Sequence, residues 1–294
     1  MGAGHDHTPK SVTRAFKLGI LLNAGFVVCE AVAGFWLDSL SLLTDAGHNL
    51  ADVGSLVLGL LAVGLASRRP SGNFTYGLRK STILASLINS VTLFFAIGAL
   101  SYAAVSRLRN PVAVHGEGIA AVALIGILVN TGSALLFLRD KQHDLNVRSA
   151  YMHLLADAAI SGGVVAAGIV ISLTGWVWFD PLVSIFVSLA ILYGAWGLLR
   201  ESLRLSLDGV PSEVNLQEVR SYLTSLKNVD DVHDLHVWAL STNETALTAH
   251  LVMPDASEPL FFPDVNEELF HRFRISHATL QIENRAGQIC GQRC

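Results

Sequence analysis

Six stretches of this sequence are long, almost unbroken runs of Leu, Ala, Val, Ile, Gly and Phe: Leu18–Leu37, Leu43–Ala66, Thr82–Ser106, Ile119–Leu138, Ser149–Leu173 and Val177–Leu199. About twenty apolar residues in a helix cross the ~30 Å hydrocarbon layer of a bilayer. Lipid offers no water to the backbone, so each run must satisfy its own amides, and a helix does this within one segment. The expectation is a membrane all-α domain of six transmembrane helices over residues 18–200. Composition points the same way. The chain is 51% hydrophobic and 15% charged, against roughly 25% charged in an average soluble domain, which argues against a wholly soluble fold.

The loops orient the helices. Lys10, Arg14, Lys17, Arg68, Arg69, Arg79, Lys80, Arg139, Lys141, Arg148, Arg200 and Arg204 fall on one side, and only Arg107 and Arg109 on the other. Basic loop residues stay in the cytoplasm, so a multi-pass protein with both termini cytoplasmic is expected. Met1–Thr13 is polar and has no apolar core ahead of a small-residue cleavage site, so it reads as a cytoplasmic tail over residues 1–17 and not as a cleaved leader.

After Leu199 the composition changes. Asn215–Lys227 places Leu216, Val219, Leu223 and Leu226 at helical spacing. Val229–Leu240 and Thr245–Met253 read as strands, Phe262–Phe273 as a helix and Ala278–Glu283 as a strand. The order αββαβ predicts a cytoplasmic α+β, ferredoxin-like domain over residues 201–294, with its helices on one face of a small sheet. A net charge of −4 carries no nucleic-acid footprint. Three cysteines, Cys29, Cys290 and Cys294, cannot build a disulfide framework.

Ionisable residues inside a membrane are costly and mark function. Here they repeat. The second apolar run contains His48-Asn-Leu-Ala-Asp52 and the fifth His153-Leu-Leu-Ala-Asp157. Spacing of i, i+4 puts both side chains of each motif on one helix face. Two such helices facing one another present two imidazoles and two carboxylates, an N₂O₂ set that suits tetrahedral Zn²⁺. The two carboxylates neutralise the ion away from bulk water. Zinc hydrolases instead carry His-Glu-x-x-His with Glu as base, which is absent here. Four protein ligands also leave no open position for a catalytic water. The pattern points to an ion carried and not a reaction catalysed. Measured from the expected helix ends, the two Asp differ in depth by about 10 Å, so either the fifth helix starts earlier, within Leu145–Arg148, or the second projects into the cytoplasm.

The paired motifs, together with GFWLDSLSLLTDAGHNLAD (Gly34 to Asp52), YGLRKSTILASLIN (Tyr76 to Asn89), HDLNVRSAYMHLLAD (His143 to Asp157), Asp180-Pro181 and HDLHVW (His233 to Trp238), resemble the cation diffusion facilitators. The likeness covers nearly the whole chain and looks closest to the bacterial cobalt–zinc–cadmium resistance branch and its vertebrate zinc-transporter relatives. The resemblance implies a homodimer that exports divalent metal from the cytoplasm in exchange for protons. It implies Zn²⁺ as cargo and as a structural or regulatory ion, with no other cofactor. A His-Asp-His-Asp set is the family's zinc-preferring version, while Asp in place of His48 goes with broader selectivity; Cd²⁺ or Co²⁺ are further candidate cargoes of this chain. The short segment Arg139–Arg148, with His143 alone, favours a prokaryotic cytoplasmic membrane. A passive metal channel needs weak sites in series, which one closed site does not provide. A zinc-sensing membrane protein needs no intramembrane ligands.

In the last third, strand alternation predicts His233 and His236 on opposite faces. The resemblance implies that His233, His250 and Glu283 bind zinc there, with His277 as a further candidate. Cys290 and Cys294, and His5 and His7, resemble the terminal metal-binding motifs of the vertebrate relatives. Asn23 and Asn130 read as interhelical hydrogen-bonding groups, and Glu30 as a candidate for a proton path.

Overall fold

The computed structural model describes residues 10–136, 145–253 and 261–283. Among these described residues six long helices come first: α1 (Lys10–Trp36), α2 (Leu40–Ala66), α3 (Ser81–Arg109), α4 (Gly116–Leu136), α5 (Leu145–Thr174) and α6 (Phe179–Ser206). Among the described residues, five helices are long and apolar enough to cross a membrane: α2, α3, α4, α6 and the Tyr151–Thr174 part of α5. The apolar part of α1 that is described, Leu21–Trp36, is shorter. Several helices outrun their apolar runs. α3 continues to Arg109 and α6 to Ser206, because backbone hydrogen bonding proceeds into polar sequence that hydropathy does not register.

The chain divides into two compact units, Met1–Leu56 with Val91–Ala195, and Val57–Ser90 with Trp196–Cys294. In the first unit α4 and α5 pack at backbone distance. A Cβ on Gly116 would stand 2.5 Å from the Gly168 carbonyl oxygen, and one on Gly168 2.6 Å from the Ala120 amide nitrogen. Small residues allow this approach where lipid gives no hydrophobic drive for helix association. Around the contact Leu42, Ile119, Ala123, Val164 and Ile171 form a buried cluster. A second cluster joins Leu93 and Ile97 of α3 to Val187 and Ile191 of α6.

The start of α2 is tied to α6 by polar groups. Asp180, in the first turn of α6, is fully buried. Its Oδ1 accepts hydrogen bonds from the Ser39 hydroxyl (2.6 Å), the Ser41 amide (3.2 Å) and the Ser41 hydroxyl, and its Oδ2 from the Leu40 amide (2.7 Å). The first amides of a helix have no intrahelical acceptor and favour an anion; here α6 supplies it. One turn further, the Thr44 and Ser184 hydroxyls meet at 2.8 Å. These contacts hold the helix that bears His48 and Asp52.

The second unit holds α7 (Leu216–Thr224), β1 (Asp231–Ala239), β2 (Thr245–Val252), α8 (Phe261–Phe273) and β3 (Ile275–Glu283). Asn215 caps α7, its side-chain oxygen accepting from the Gln217 and Glu218 amides, which satisfies two otherwise open donors. The sheet has the order β1-β2-β3, with β1 and β2 antiparallel and β2 and β3 parallel. Val232, Val237, Leu247, Ala249 and Leu251 form a core with Val219 and Leu223 of α7 and Val265 and Leu269 of α8. Both helices therefore cover one face of the sheet.

Candidate metal centres

The doubled His-x-x-x-Asp converges within the first unit. His153 Nε2 lies 3.0 Å from Asp52 Oδ2 and 3.5 Å from Asp157 Oδ2; His48 Nε2 lies 3.7 Å from Asp52 Oδ2 and 3.6 Å from Asp157 Oδ1. The two imidazole rings meet edge-on, centroids 6.0 Å apart. A tetrahedral ion with ~2.0–2.1 Å bonds has ligand–ligand edges of about 3.3–3.4 Å. The four nitrogen–oxygen separations bracket that edge. One ligand atom each from Asp52, His153 and Asp157 lies within 4.8 Å of the others, and His48 closes the fourth side. Asp157 is buried, and its Oδ1 has no hydrogen-bond partner among the described residues. Buried carboxylates need a partner, and a cation at this point supplies one.

α5 starts at Leu145, four residues before the apolar run begins. Asp157 then lies twelve residues into α5, and Asp52 fourteen before the end of α2, so the depth mismatch falls to about 3 Å. Hydropathy sets the span too short because Asn146 and Arg148 interrupt the apolar run within the first turn of α5.

Three acidic or amide groups adjoin this centre. Asp45, three residues before His48, is fully buried and accepts from the Ser161 hydroxyl at 3.0 Å. The Asn49 amide donates to Asp45 Oδ1 at 3.4 Å. Glu30, also fully buried, faces Asp45 and Asn49. Asp45 was legible as an acidic residue inside an apolar run. Asn130 departs from the hydrogen-bonding role expected of it: it is buried on α4, and neither amide atom has a partner among the described residues.

A second constellation lies on the sheet of the other unit. His233 Nε2 is 3.2 Å from Glu283 Oε2, and His250 Nδ1 is 2.9 Å from Glu283 Oε1. The two rings lie 5.3 Å apart, and the three ligand atoms fall within 4.8 Å of one another. His250 Nδ1 is buried and, although 2.9 Å from Glu283 Oε1, makes no aligned hydrogen bond among the described residues. Two imidazoles, a carboxylate and an orphaned buried nitrogen fit a bound Zn²⁺. The expected separation of His233 and His236 onto opposite faces is overturned. His233 pairs with His250 and His236 with Thr248, so one extra residue in β1 reverses the alternation and both imidazoles share a face. His277 stays apart, in register with Ala246 and with its ring against Tyr76. His5, His7, Cys290 and Cys294 lie outside the described residues.

Two family matches cover most of the chain. Residues 16–205 match the cation efflux transmembrane domain, and residues 211–285 the cytoplasmic domain of cation efflux proteins. The chain belongs to the cation efflux family. That family comprises transporters and not enzymes, which agrees with the ion-carrying reading of the motifs. The transporter is 35% identical over 286 residues to the metal cation efflux system protein CzcD of Cupriavidus metallidurans, covering 96% of this chain and 90% of that one. It is 31% identical over 289 residues to the cadmium, cobalt and zinc/H(+)-K(+) antiporter of Bacillus subtilis, covering 96% and 93%. It is 34% identical over 291 residues to the zinc transporter ZitB of Escherichia coli, again covering 96% and 93%.

Proposed function

We propose that this protein exports Zn²⁺ from the cytoplasm by exchange with protons, carrying the ion at His48, Asp52, His153 and Asp157. The observation that carries the reading is the convergence of two imidazoles and two carboxylates at 3.0–3.7 Å from two helices. The relatives named for zinc, cadmium and cobalt efflux, one of them as an antiporter, support it, and the reading extends to Cd²⁺ and Co²⁺ as further substrates. In this reading α1 is the first of six spans, both termini are cytoplasmic, and the chain works as a homodimer in a prokaryotic cytoplasmic membrane. Residues 1–17 form a tail, 18–200 the membrane domain and 201–294 a ferredoxin-like regulatory domain that binds Zn²⁺ at His233, His250 and Glu283.

Exchange follows from the ligand chemistry. Imidazole titrates near neutrality and binds metal only when neutral. A site facing the cytoplasm loads zinc as its ligands give up protons. Facing a more acidic exterior, the same ligands take protons and release the ion. The test is zinc entry into proteoliposomes with an imposed pH gradient. An acidic lumen is expected to drive zinc inward while the lumenal pH rises. Zinc flux indifferent to the gradient, with no proton movement, overturns the exchange.

Selectivity gives an independent prediction. His48→Asp replaces an imidazole with a harder, more adaptable oxygen ligand. Competition assays are expected to show Cd²⁺ or Mn²⁺ rising relative to Zn²⁺. An unchanged ranking removes His48 from the selectivity role.

A further inference from the structure

The histidine pair on the sheet is arranged by a residue that metal-ligand spacing does not single out. Three steps along β1, from His233 to His236, face two along β2, from His250 to Thr248. The surplus residue is taken up next to His233, where Asp234 adopts φ 50°. That left-handed conformation is disfavoured for residues with a Cβ, although Asp tolerates it better than most. Its effect is to bring the Asp234 carboxylate between two imidazoles. Oδ1 lies 2.9 Å from His236 Nε2, with which it hydrogen-bonds, and Oδ2 lies 3.5 Å from His250 Nε2.

The two nitrogens of His250 therefore face two different carboxylates. Nε2 faces Asp234, and Nδ1 faces Glu283 at 2.9 Å. A neutral imidazole carries one proton. When it binds a metal through one nitrogen, the other donates its N–H, and a carboxylate there fixes both the tautomer and the ring orientation. Glu283 also meets His233, so the Nδ1 side of His250 is the side on which three ligand atoms gather.

We propose that Asp234 is the positioning residue of the zinc site on the sheet. It accepts the Nε2–H of His250 and so turns the Nδ1 lone pair toward His233 and Glu283. His236 is not a ligand in this arrangement. It donates to the other oxygen of Asp234 and holds that carboxylate in place. This inference rests on the reading of His233, His250 and Glu283 as a zinc site.

The experiment uses the full-length protein in detergent, with the membrane site silenced by His48→Ala and Asp157→Ala, and Zn²⁺ titrated against a competing chelator. Asp234→Ala removes the carboxylate but leaves a Cβ in a left-handed backbone. Asp234→Gly removes it while keeping that backbone comfortable. Both are expected to raise the zinc dissociation constant by about 10–100-fold. Asp234→Asn keeps an acceptor oxygen and is expected to stay close to the parent. The second readout is ¹⁵N NMR of histidine-labelled, zinc-loaded protein, with the His250 signals assigned by their loss in His250→Gln. His250 is expected to be protonated at Nε2 in the parent and in Asp234→Asn, and to populate both tautomers in Asp234→Gly. Parent-like affinity and an unchanged tautomer in both Asp234→Gly and Asp234→Ala overturn the proposal. So does equal loss in Asp234→Asn and Asp234→Gly. His233→Ala serves as the control. If it leaves zinc binding intact, the zinc-site reading itself fails, a result the tautomer measurement distinguishes from failure of the Asp234–His250 contact.

Discussion

Asp157→Ala is expected to reduce zinc flux to about one per cent of wild type or less. The ion brings two positive charges into a site with two carboxylates, and Asp157 is the more buried of the pair, 3% exposed. Removing one partner of a buried charge set costs on the order of 3–5 kcal/mol, and each 1.4 kcal/mol is about tenfold in affinity. The fold is expected to survive. Asp157 Oδ1 has no hydrogen-bond partner among the described residues, so the truncation orphans little, and it leaves the α4–α5 glycine contact untouched. The check is uptake into proteoliposomes at matched protein content, alongside thermal melting without zinc. A variant that transports within threefold of wild type removes Asp157 from the carrier site.

Asp180→Ala is expected to produce the largest loss of stability. Four donors, two amides and two hydroxyls, converge on this one buried carboxylate. A buried donor left without an acceptor costs about 1–3 kcal/mol in a soluble core. Interhelical hydrogen bonds in membranes average nearer 0.6 kcal/mol, because the unfolded helices find other partners. Four donors at the membrane value and at the low end of the soluble range give a loss of about 2–4 kcal/mol. That corresponds to a melting temperature lowered by roughly 4–16 °C for a domain of 150–250 residues. Asp180→Asn keeps one acceptor oxygen and is expected to recover part of the loss. A melting temperature within a degree of wild type after Asp180→Ala would show that the cap on α2 contributes nothing net.

The two predictions differ in how far the sequence alone could have reached them. The doubled His-x-x-x-Asp motif is legible because its partners within each helix are four residues apart, and helical periodicity turns that spacing into a shared face. The facing of α2 and α5 follows from the motif being doubled. Asp180 is harder. It sits about 140 residues from the donors it serves, and no local rule joins them. One signal was nonetheless present: Asp180, Ser184 and Ser188 recur at four-residue spacing in an otherwise apolar run, which marks a polar helix face in search of a partner. Helix ends were misjudged where hydropathy falls off before hydrogen bonding does, as at Leu145, Arg109 and Ser206. In the sheet, the strands and their burial alternation were readable, but the inserted residue between His233 and His236 was not. A bulge depends on the count of residues in the facing strand, which the sequence of β1 does not contain.

That inserted residue behaves like a reading frame written in space. Straighten β1 while keeping all three steps from His233 to His236, and everything downstream turns over: His236 points into the apolar layer beneath the sheet, and Val237 is expelled from it. Deleting one residue between the two histidines instead leaves two steps facing two, and keeps His236 and Val237 on their present faces. Three steps with the bulge and two without it are thus equivalent spellings of the same sheet face.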